Sequence, residues 1–180
     1  MAFAADAHRD QTVPGSALPY VVHVANVAMQ VMAALSETDG LDGTLAVQCA
    51  LLHDTLEDTS VTYEQLCSKF GAAVADGVLA LTKRKAAGDK EAQMADSLRR
   101  IAAQPAEIAI VKLADRITNL QRPPGHWGPD KKRKYQREAQ AILQRLGDRN
   151  AYLAARLTRR IAEYTRYVEK AGAVAKPTRP

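Results

Sequence analysis

Apolar residues along much of this chain recur every three or four positions, which is the spacing of a helix with one buried face. The first clear stripe runs from Val21 to Val31, and Pro19 is placed to begin its helix because proline suits a first helical turn. Alternating apolar and polar runs, which indicate strands, are nearly absent. The pattern predicts an all-α fold with one domain over residues 1–170 and a disordered Ala/Pro-rich tail over residues 171–180.

Capping residues, proline and glycine give the limits of the other helices. Asp42 and Thr44 are candidate starts for a helix that ends near His53, and Thr62 with Gln65 has the sequence of a capping box for a short helix. Further helices are predicted over residues 72–82, 90–103, 105–121, 131–146 and 149–169, with a polar loop at 83–89 and the strongest break, RPPGHWGP, at 122–129.

Composition narrows the class of protein. Lys and Arg outnumber Asp and Glu by 25 to 20, which gives a net charge of +5 and favours an anionic partner, either nucleic acid or a phosphorylated small molecule. Solvated helix faces explain the same charges equally well. No segment resembles a secretory signal or a membrane span, so a cytoplasmic protein is predicted. Cys49 and Cys67 lack metal-type spacing and are predicted to be reduced core thiols.

The segment LLHDTLEDT, residues 51–59, places a histidine and three carboxylates at the end of an aliphatic run. On a continuing helix, Asp54 shares a face with Glu57 and Asp58, at spacings of three and four residues. Carboxylates grouped in this way repel each other and raise each other's pKa unless a cation lies among them. The segment therefore predicts a cation site.

Two other polar residues interrupt apolar helical segments. His23 lies in PYVVHVANVAM, where a hydrogen-bonded core histidine is the commoner explanation, and Asp115 lies in IVKLADRITNL, where an unpaired buried carboxylate would be costly. Together with His53 and Asp54 they would supply two imidazoles and two carboxylates. This set suits a six-coordinate Mn²⁺, Fe²⁺ or similar ion with open positions, and it does not suit a closed structural zinc site.

These segments carry a family resemblance. LLHDTLEDTSVTYEQLCSKFG, followed by VLALTKRK and VKLADRITNL and preceded by PYVVH, resembles the HD-type hydrolase domain of the RelA/SpoT alarmone enzymes, and the small stand-alone alarmone hydrolases most of all. The resemblance extends from about Phe3 to Tyr164. It implies an all-α HD-domain bundle that binds one Mn²⁺ and removes the 3′-pyrophosphate from ppGpp-type nucleotides.

By position, the resemblance puts the family's metal ligands on the residues already suggested by their chemistry: His23, His53, Asp54 and Asp115. It implies that Glu57 and Asp58 orient and deprotonate the attacking water, and that Asn119 contacts the nucleotide sugar. Lys112 lies one turn before Asp115 and is a candidate to support that carboxylate.

The phosphates of such a substrate require cations besides the metal. The candidates are Arg9, Lys83, Arg84, Lys85, Arg116 and Arg122, although each alone is more often a surface residue. Tyr20 and Trp127 are candidates to stack on the base, with core packing as the commoner role for both.

The chain departs from the family at several points. Val24 follows His23 where relatives carry proline, and Arg122 with PPGHWG replaces a short polar residue. Residues 12–18, TVPGSAL, contain none of the basic residues that relatives place there to hold the base and the 5′ phosphates. The choice between guanine and adenine therefore stays open.

The leading hypothesis is Mn²⁺-dependent hydrolysis of (p)ppGpp, or of (p)ppApp, to the parent nucleotide and pyrophosphate. One alternative is an HD-type phosphatase that releases a single phosphate, for example from NADPH. Another is an inactive nucleotide-binding module, against which the Glu57–Asp58 pair argues because binding alone needs no proton acceptor. Neither nucleic acid nor a membrane is the expected partner, and homo-oligomerisation stays open.

Overall fold

Helices form almost all of the regular structure in this protein, for which a computed structural model describes the backbone of residues 1–173 and the side chains of residues 1–169. The helices are α1 Ala2–Ala7, α2 Val21–Leu35, α3 Gly43–Leu52, α4 Thr55–Asp58, α5 Tyr63–Phe70, α6 Ala72–Leu81, α7 Lys90–Ala102, α8 Ala106–Asn119, α9 Pro129–Leu146 and α10 Ala151–Ala173. Short 3-10 turns occur at Lys85–Ala87 and Gly147–Arg149. The predicted all-α fold is confirmed. Residues 174–180 of the predicted tail lie outside the described residues.

Side-chain caps fix several helix starts where the sequence predicts them. The Asp42 carboxylate accepts a hydrogen bond from the Leu45 N–H at 2.9 Å, which begins α3. Thr62 and Gln65 form both hydrogen bonds of a capping box at the start of α5. Gly71 then separates α5 from α6 with a φ of 88°, a conformation that favours glycine.

Other boundaries differ from the prediction. Pro19 precedes α2 instead of lying in its first turn, because it pairs with Thr12 in an isolated β-bridge and Tyr20 caps the helix. Proline does occupy the first position of α9, at Pro129, two residues before the predicted start at 131. The short helices α1 and α4 were not predicted, since six and four residues carry too little periodicity to recognise.

Helix α8 lies at the centre of the bundle and positions the polar residues discussed below. Every residue from Glu107 to Thr118 is buried, and α8 packs against α2, α3, α6, α7, α9 and α10. A helix that is buried on all sides must pair any charged group that it carries. The charged side chains of α8 are therefore expected to contact side chains of opposite charge or hydrogen-bonding groups.

The two cysteines are free thiols, as predicted; Cys49 is buried and Cys67 is half-buried. Among the helices of residues 1–173, none combines the length and the apolar composition required to cross a bilayer.

A close approach between α6 and α8 gives a stability prediction. An alanine Cβ at Gly77 would lie 2.5 Å from Cδ1 of Ile108 and 2.8 Å from Sγ of Cys49. Alanine favours helix by about 1 kcal/mol over glycine, but overpacking a core costs about 1–3 kcal/mol. We expect Gly77→Ala to lower the free energy of unfolding by about 1–2 kcal/mol in urea titrations.

Gly125→Ala is the matched control for this prediction. Its Cβ would meet nothing within 4 Å and its φ is not positive, so its unfolding curve should overlay that of the wild type. Equal stability of both variants would contradict the close packing of α6 on α8.

Candidate metal centre and active site

Four predicted ligands come together where α2, α3, α4 and α8 meet. Nε2 of His53 lies 2.8 Å from Oδ2 of Asp54, and Nε2 of His23 lies 3.8 Å from the same oxygen. These three residues offer ligand atoms that lie within 4.8 Å of one another. Oδ1 of Asp115 is 3.5 Å from Nε2 of His23 and 3.8 Å from Nε2 of His53. The structure thus gathers residues that are up to 92 positions apart in sequence.

The backbone between α3 and α4 aims His53 and Asp54 at one point. His53 ends α3, as predicted, and Asp54 caps the separate short helix α4. Nδ1 of His53 lies 2.8 Å from the carbonyl oxygen of Ala50. Because a carbonyl oxygen only accepts, this contact places a proton on Nδ1 and leaves Nε2 to face the carboxylates.

The buried histidine nitrogens provide a test of whether a metal fits. Nε2 of His23 and Nε2 of His53 are both buried, and neither makes a hydrogen bond of good geometry in the described structure, although carboxylate oxygens lie 2.8 to 3.8 Å away. Such groups are normally satisfied, and both here point toward carboxylate oxygens. A divalent cation held by two imidazoles and two carboxylates would satisfy all four groups. The donor set fits Mn²⁺ or a similar transition metal.

The charges of the centre favour the same conclusion. Burial lowers the pKa of His53. The negative charges of Asp54 and then Asp115 outweigh this effect and raise the pKa to about 9. Burial raises the pKa of Asp54, and its neighbour His53 more than offsets this and lowers the pKa to about 2. Burial likewise opposes ionisation of Asp115, whereas Lys112 and the histidines hold its pKa well below the usual range. The carboxylates that attract a proton also attract a divalent cation, which competes with that proton for Nε2.

Neighbouring side chains hold both carboxylates in place. The Tyr20 hydroxyl donates to Oδ2 of Asp54 at 2.6 Å, and the Lys112 ammonium donates to Oδ2 of Asp115 at 3.0 Å. The Asn119 amide donates to the other oxygen of Asp115. Lys112 thus has the supporting contact suggested by its spacing. The contact of Tyr20 with a carboxylate was missed, although its position one turn before His23 was a usable signal.

Removal of the Tyr20 hydroxyl should weaken metal binding. Groups that hold metal ligands typically account for about 10–100-fold in affinity. We expect Tyr20→Phe to lower Mn²⁺ affinity about tenfold in calorimetric titrations while the fold is retained. Tyr63→Phe is the matched control, because the Tyr63 hydroxyl donates to exposed Asp76 at 2.8 Å. Unchanged affinity in Tyr20→Phe would show that the Asp54 orientation does not depend on this bond.

A cavity of about 210 Å³, here called the polar cavity, is lined by His53, Asp54 and Asp115, whereas His23 lines a second cavity described below. Glu57 and Asp58 line it together with Lys83. Glu57 is held at both oxygens: the Lys83 N–H donates to Oε2 at 2.9 Å and the Lys83 ammonium to Oε1 at 3.1 Å. Burial, together with the negative charges of Asp54 and Glu57, raises the pKa of Asp58.

Arg116 lines the polar cavity and is incompletely paired. Its guanidinium is buried, lies 4.3 Å from the centre of the Tyr135 ring, and reaches Glu138 only at 3.4 Å through Nη2. Nε and Nη1 have no hydrogen-bond partner in the described structure. A planar guanidinium with unsatisfied donors suits phosphate oxygens.

The other predicted cations are dispersed. Lys83 lines the polar cavity but is paired with Glu57. Arg122 lines a second cavity, described next. Arg9 is exposed and pairs with Asp6 and Asp10 at 3.2 and 3.6 Å, and the structure does not place it in the lining of either cavity.

The second cavity, of about 350 Å³, is here called the aromatic cavity. Trp127 and Tyr164 line it, and Tyr135 and Asn119 line both cavities. Trp127 packs edge-on against Tyr135 with ring centres 5.1 Å apart. The wall from residues 12–18 consists of Val13, Pro14 and Leu18, so the segment that lacks basic residues does face this space.

Comparisons with known proteins agree with this arrangement. The HD domain family model matches residues 1–152. The chain belongs to the HD-domain family. The resemblance seen in the sequence is confirmed by a Danio rerio protein named guanosine-3′,5′-bis(diphosphate) 3′-pyrophosphohydrolase, which is 33% identical over 162 residues that cover 86% of each chain.

Other relatives extend the comparison of this HD domain. A Vibrio cholerae protein with the same enzymatic name is 39% identical over 151 residues, and the match covers 81% of this chain but only 20% of that protein. The chain thus spans about a fifth of that relative. Among solved structures, a metazoan ortholog of SpoT that hydrolyses ppGpp matches with a TM-score of 0.78 and 28% identity, covering 90% of this chain and 91% of the other.

Proposed function

We propose that this HD domain is a hydrolase of alarmone nucleotides that uses Mn²⁺ to remove the 3′-pyrophosphate from (p)ppGpp-type substrates. The observation that carries the proposal is the polar cavity, where two further carboxylates, Glu57 and Asp58, and several cations lie beside three of the four proposed ligands. The names of the relatives support ppGpp as the substrate. His23, His53, Asp54 and Asp115 would hold the ion, which would supply Lewis-acid activation and offset phosphate charge.

The side chains of the polar cavity have separate tasks in this proposal. Glu57 is fixed at both oxygens by Lys83 and so can orient a water molecule for in-line attack on phosphorus. Asp58 lines the polar cavity and has a raised pKa, which suits it to accept the proton of that water. The attack forms a bond between phosphorus and water oxygen and breaks the bond to the 3′ oxygen, which releases pyrophosphate.

Arg116, which lines the polar cavity, would bind oxygens of the pyrophosphate through its guanidinium. The nucleoside would occupy the aromatic cavity, because Asn119 and Tyr135 join the two spaces. Residues 12–18 present apolar side chains there, which gives no preference for guanine over adenine, so (p)ppApp belongs to the proposed substrate class.

A hydrolysis panel with Mn²⁺ tests the proposal. The substrates are ppGpp, pppGpp, their adenine equivalents and NADPH, and the assay measures pyrophosphate and single phosphate separately. Pyrophosphate release from a guanine or adenine alarmone is the expected result. Single phosphate from NADPH alone would support the phosphatase alternative, and no turnover of any substrate would rule out both activities.

A further inference from the structure

The peptide group between Thr82 and Lys83 lies between two charged side chains. Its carbonyl oxygen accepts a hydrogen bond from Nη2 of Arg100 at 2.6 Å. Its N–H donates to Oε2 of Glu57 at 2.9 Å. A single rigid peptide plane therefore connects a guanidinium on α7 with a carboxylate in the polar cavity.

Arg100 is itself firmly held. Its Nη1 donates to the carbonyl oxygens of Leu79 and Ala80 at 2.6 and 2.8 Å, and its Nε donates to Asp96 at 2.8 Å. Its side chain is only 10% exposed. Helix α6 ends at Leu81, and the last carbonyls of a helix have no partners within the helix. Arg100 satisfies these carbonyls and fixes the direction in which the chain leaves α6.

The two charges polarise the peptide group in the same sense. The positive guanidinium faces the negative end of the peptide dipole, and the negative Glu57 faces its positive end. Hydrogen bonds to charged groups are stronger than neutral ones, and bonds arranged in a chain strengthen one another. Rotation of this peptide would break both bonds together, so the orientation of Glu57 depends on Arg100.

We propose that Arg100 is a positioning residue for Glu57, acting through the Thr82–Lys83 peptide. Arg100 lies on α7 and outside the lining of the polar cavity, so it does not contact substrate there. It keeps the Lys83 N–H directed at Glu57, which leaves this carboxylate fixed for its work on water. The structural link stands by itself, and its effect on turnover rests on the function proposed above.

The first measurement follows the link without using activity. In ¹H–¹⁵N spectra, the amide proton of Lys83 should resonate downfield in the wild type because it is hydrogen-bonded to a carboxylate. Arg100→Lys and Glu57→Gln should each move it upfield. Arg99→Lys is the matched control, because Arg99 also pairs with Asp96, at 2.6 Å, but its side chain is 71% exposed.

Ser97→Ala provides a second control. The Ser97 hydroxyl contacts the carbonyl oxygens of Ala80 and Leu81 at 3.3 and 3.4 Å, so it supports the same helix end without contacting Thr82. Its Lys83 amide resonance should stay at the wild-type position. If Arg100→Lys proves unfolded, Asp96→Asn takes its place in both measurements; it weakens the Nε contact of Arg100 and also the exposed Arg99 pair, and Arg99→Lys controls for the second loss.

The second measurement separates kcat from KM. Arg100→Lys should lower kcat about tenfold, because misplacement of a reacting group by a fraction of an ångström has large kinetic effects. KM and Mn²⁺ affinity should stay at wild-type values, since the ligands and Arg116 are untouched. A parallel loss of metal binding in Arg100→Lys, or a Lys83 amide resonance that stays at its wild-type position in this variant, would overturn the inference. A wild type without turnover would instead remove the proposed function and leave the spectroscopic result to decide this link.

Discussion

Asp54→Ala is expected to abolish Mn²⁺ binding and hydrolysis together. Asp54 contributes the carboxylate oxygen that lies nearest His53, at 2.8 Å, and it is one of only two carboxylates in the proposed ligand set. Its loss leaves a more positive centre, in which a divalent cation is held less well. Since the proposed cation would activate the attacking water, we expect turnover to fall by roughly a thousandfold or more.

Calorimetry with Mn²⁺ and the alarmone assay test this expectation on the same samples. Circular dichroism should show a folded protein, because the Asp54 side chain is still 20% exposed and its removal opens no large core cavity. Asp76→Ala is the control, because Asp76 is an exposed aspartate that pairs only with Tyr63 among the described side chains. Full turnover by Asp54→Ala with Mn²⁺ present would eliminate the proposed ligand set.

The centre was predictable from sequence because its residues break local rules. A histidine and an aspartate inside apolar helical segments conflict with the periodic pattern, and His23 and Asp115 were selected on that basis. The structure places Asp115 on the most buried helix, where an unpaired carboxylate would be costly. Such conflicts identify candidate residues without showing which of them meet.

Contacts that depend on the tertiary fold could not be predicted in this way. Tyr20 and Arg100 both act on groups in or near the site from ordinary helical or capping positions. Their roles arise from partners 34 and 18 positions away, at Asp54 and Thr82. Arg9 is exposed and pairs with the local acids Asp6 and Asp10, and its contact with substrate stays a prediction.

The all-α class followed from the periodicity of apolar residues, but the place of each proline relative to its helix did not. Pro19 and Pro129 are both prolines near the start of a helix. Pro19 precedes the capping residue of α2, whereas Pro129 is the first residue of α9. The β-bridge between Thr12 and Pro19 decides the first case, and no local pattern encodes that bridge. Helix limits therefore depend on contacts that form only when the chain has folded.

Glu57→Gln should separate metal binding from turnover. Glu57 is not among the proposed ligands, and both of its oxygens are held by Lys83 at 2.9 and 3.1 Å. Glutamine has nearly the same shape and can still accept from the Lys83 N–H. It loses the negative charge that, in the proposed mechanism, orients water and helps Asp58 to take the proton. We expect Mn²⁺ affinity within about twofold of the wild type and kcat lower by about 10²–10⁴-fold.

The control for this variant is Glu163→Gln on α10, which removes the same charge from a side chain that is 45% exposed and pairs with Arg160. It should match the wild type in both measurements. A Glu57→Gln enzyme with normal kcat would show that Asp58 alone handles the water. Loss of Mn²⁺ from the same variant would instead make Glu57 part of the metal centre, because a group that only orients water can be neutralised without releasing the ion.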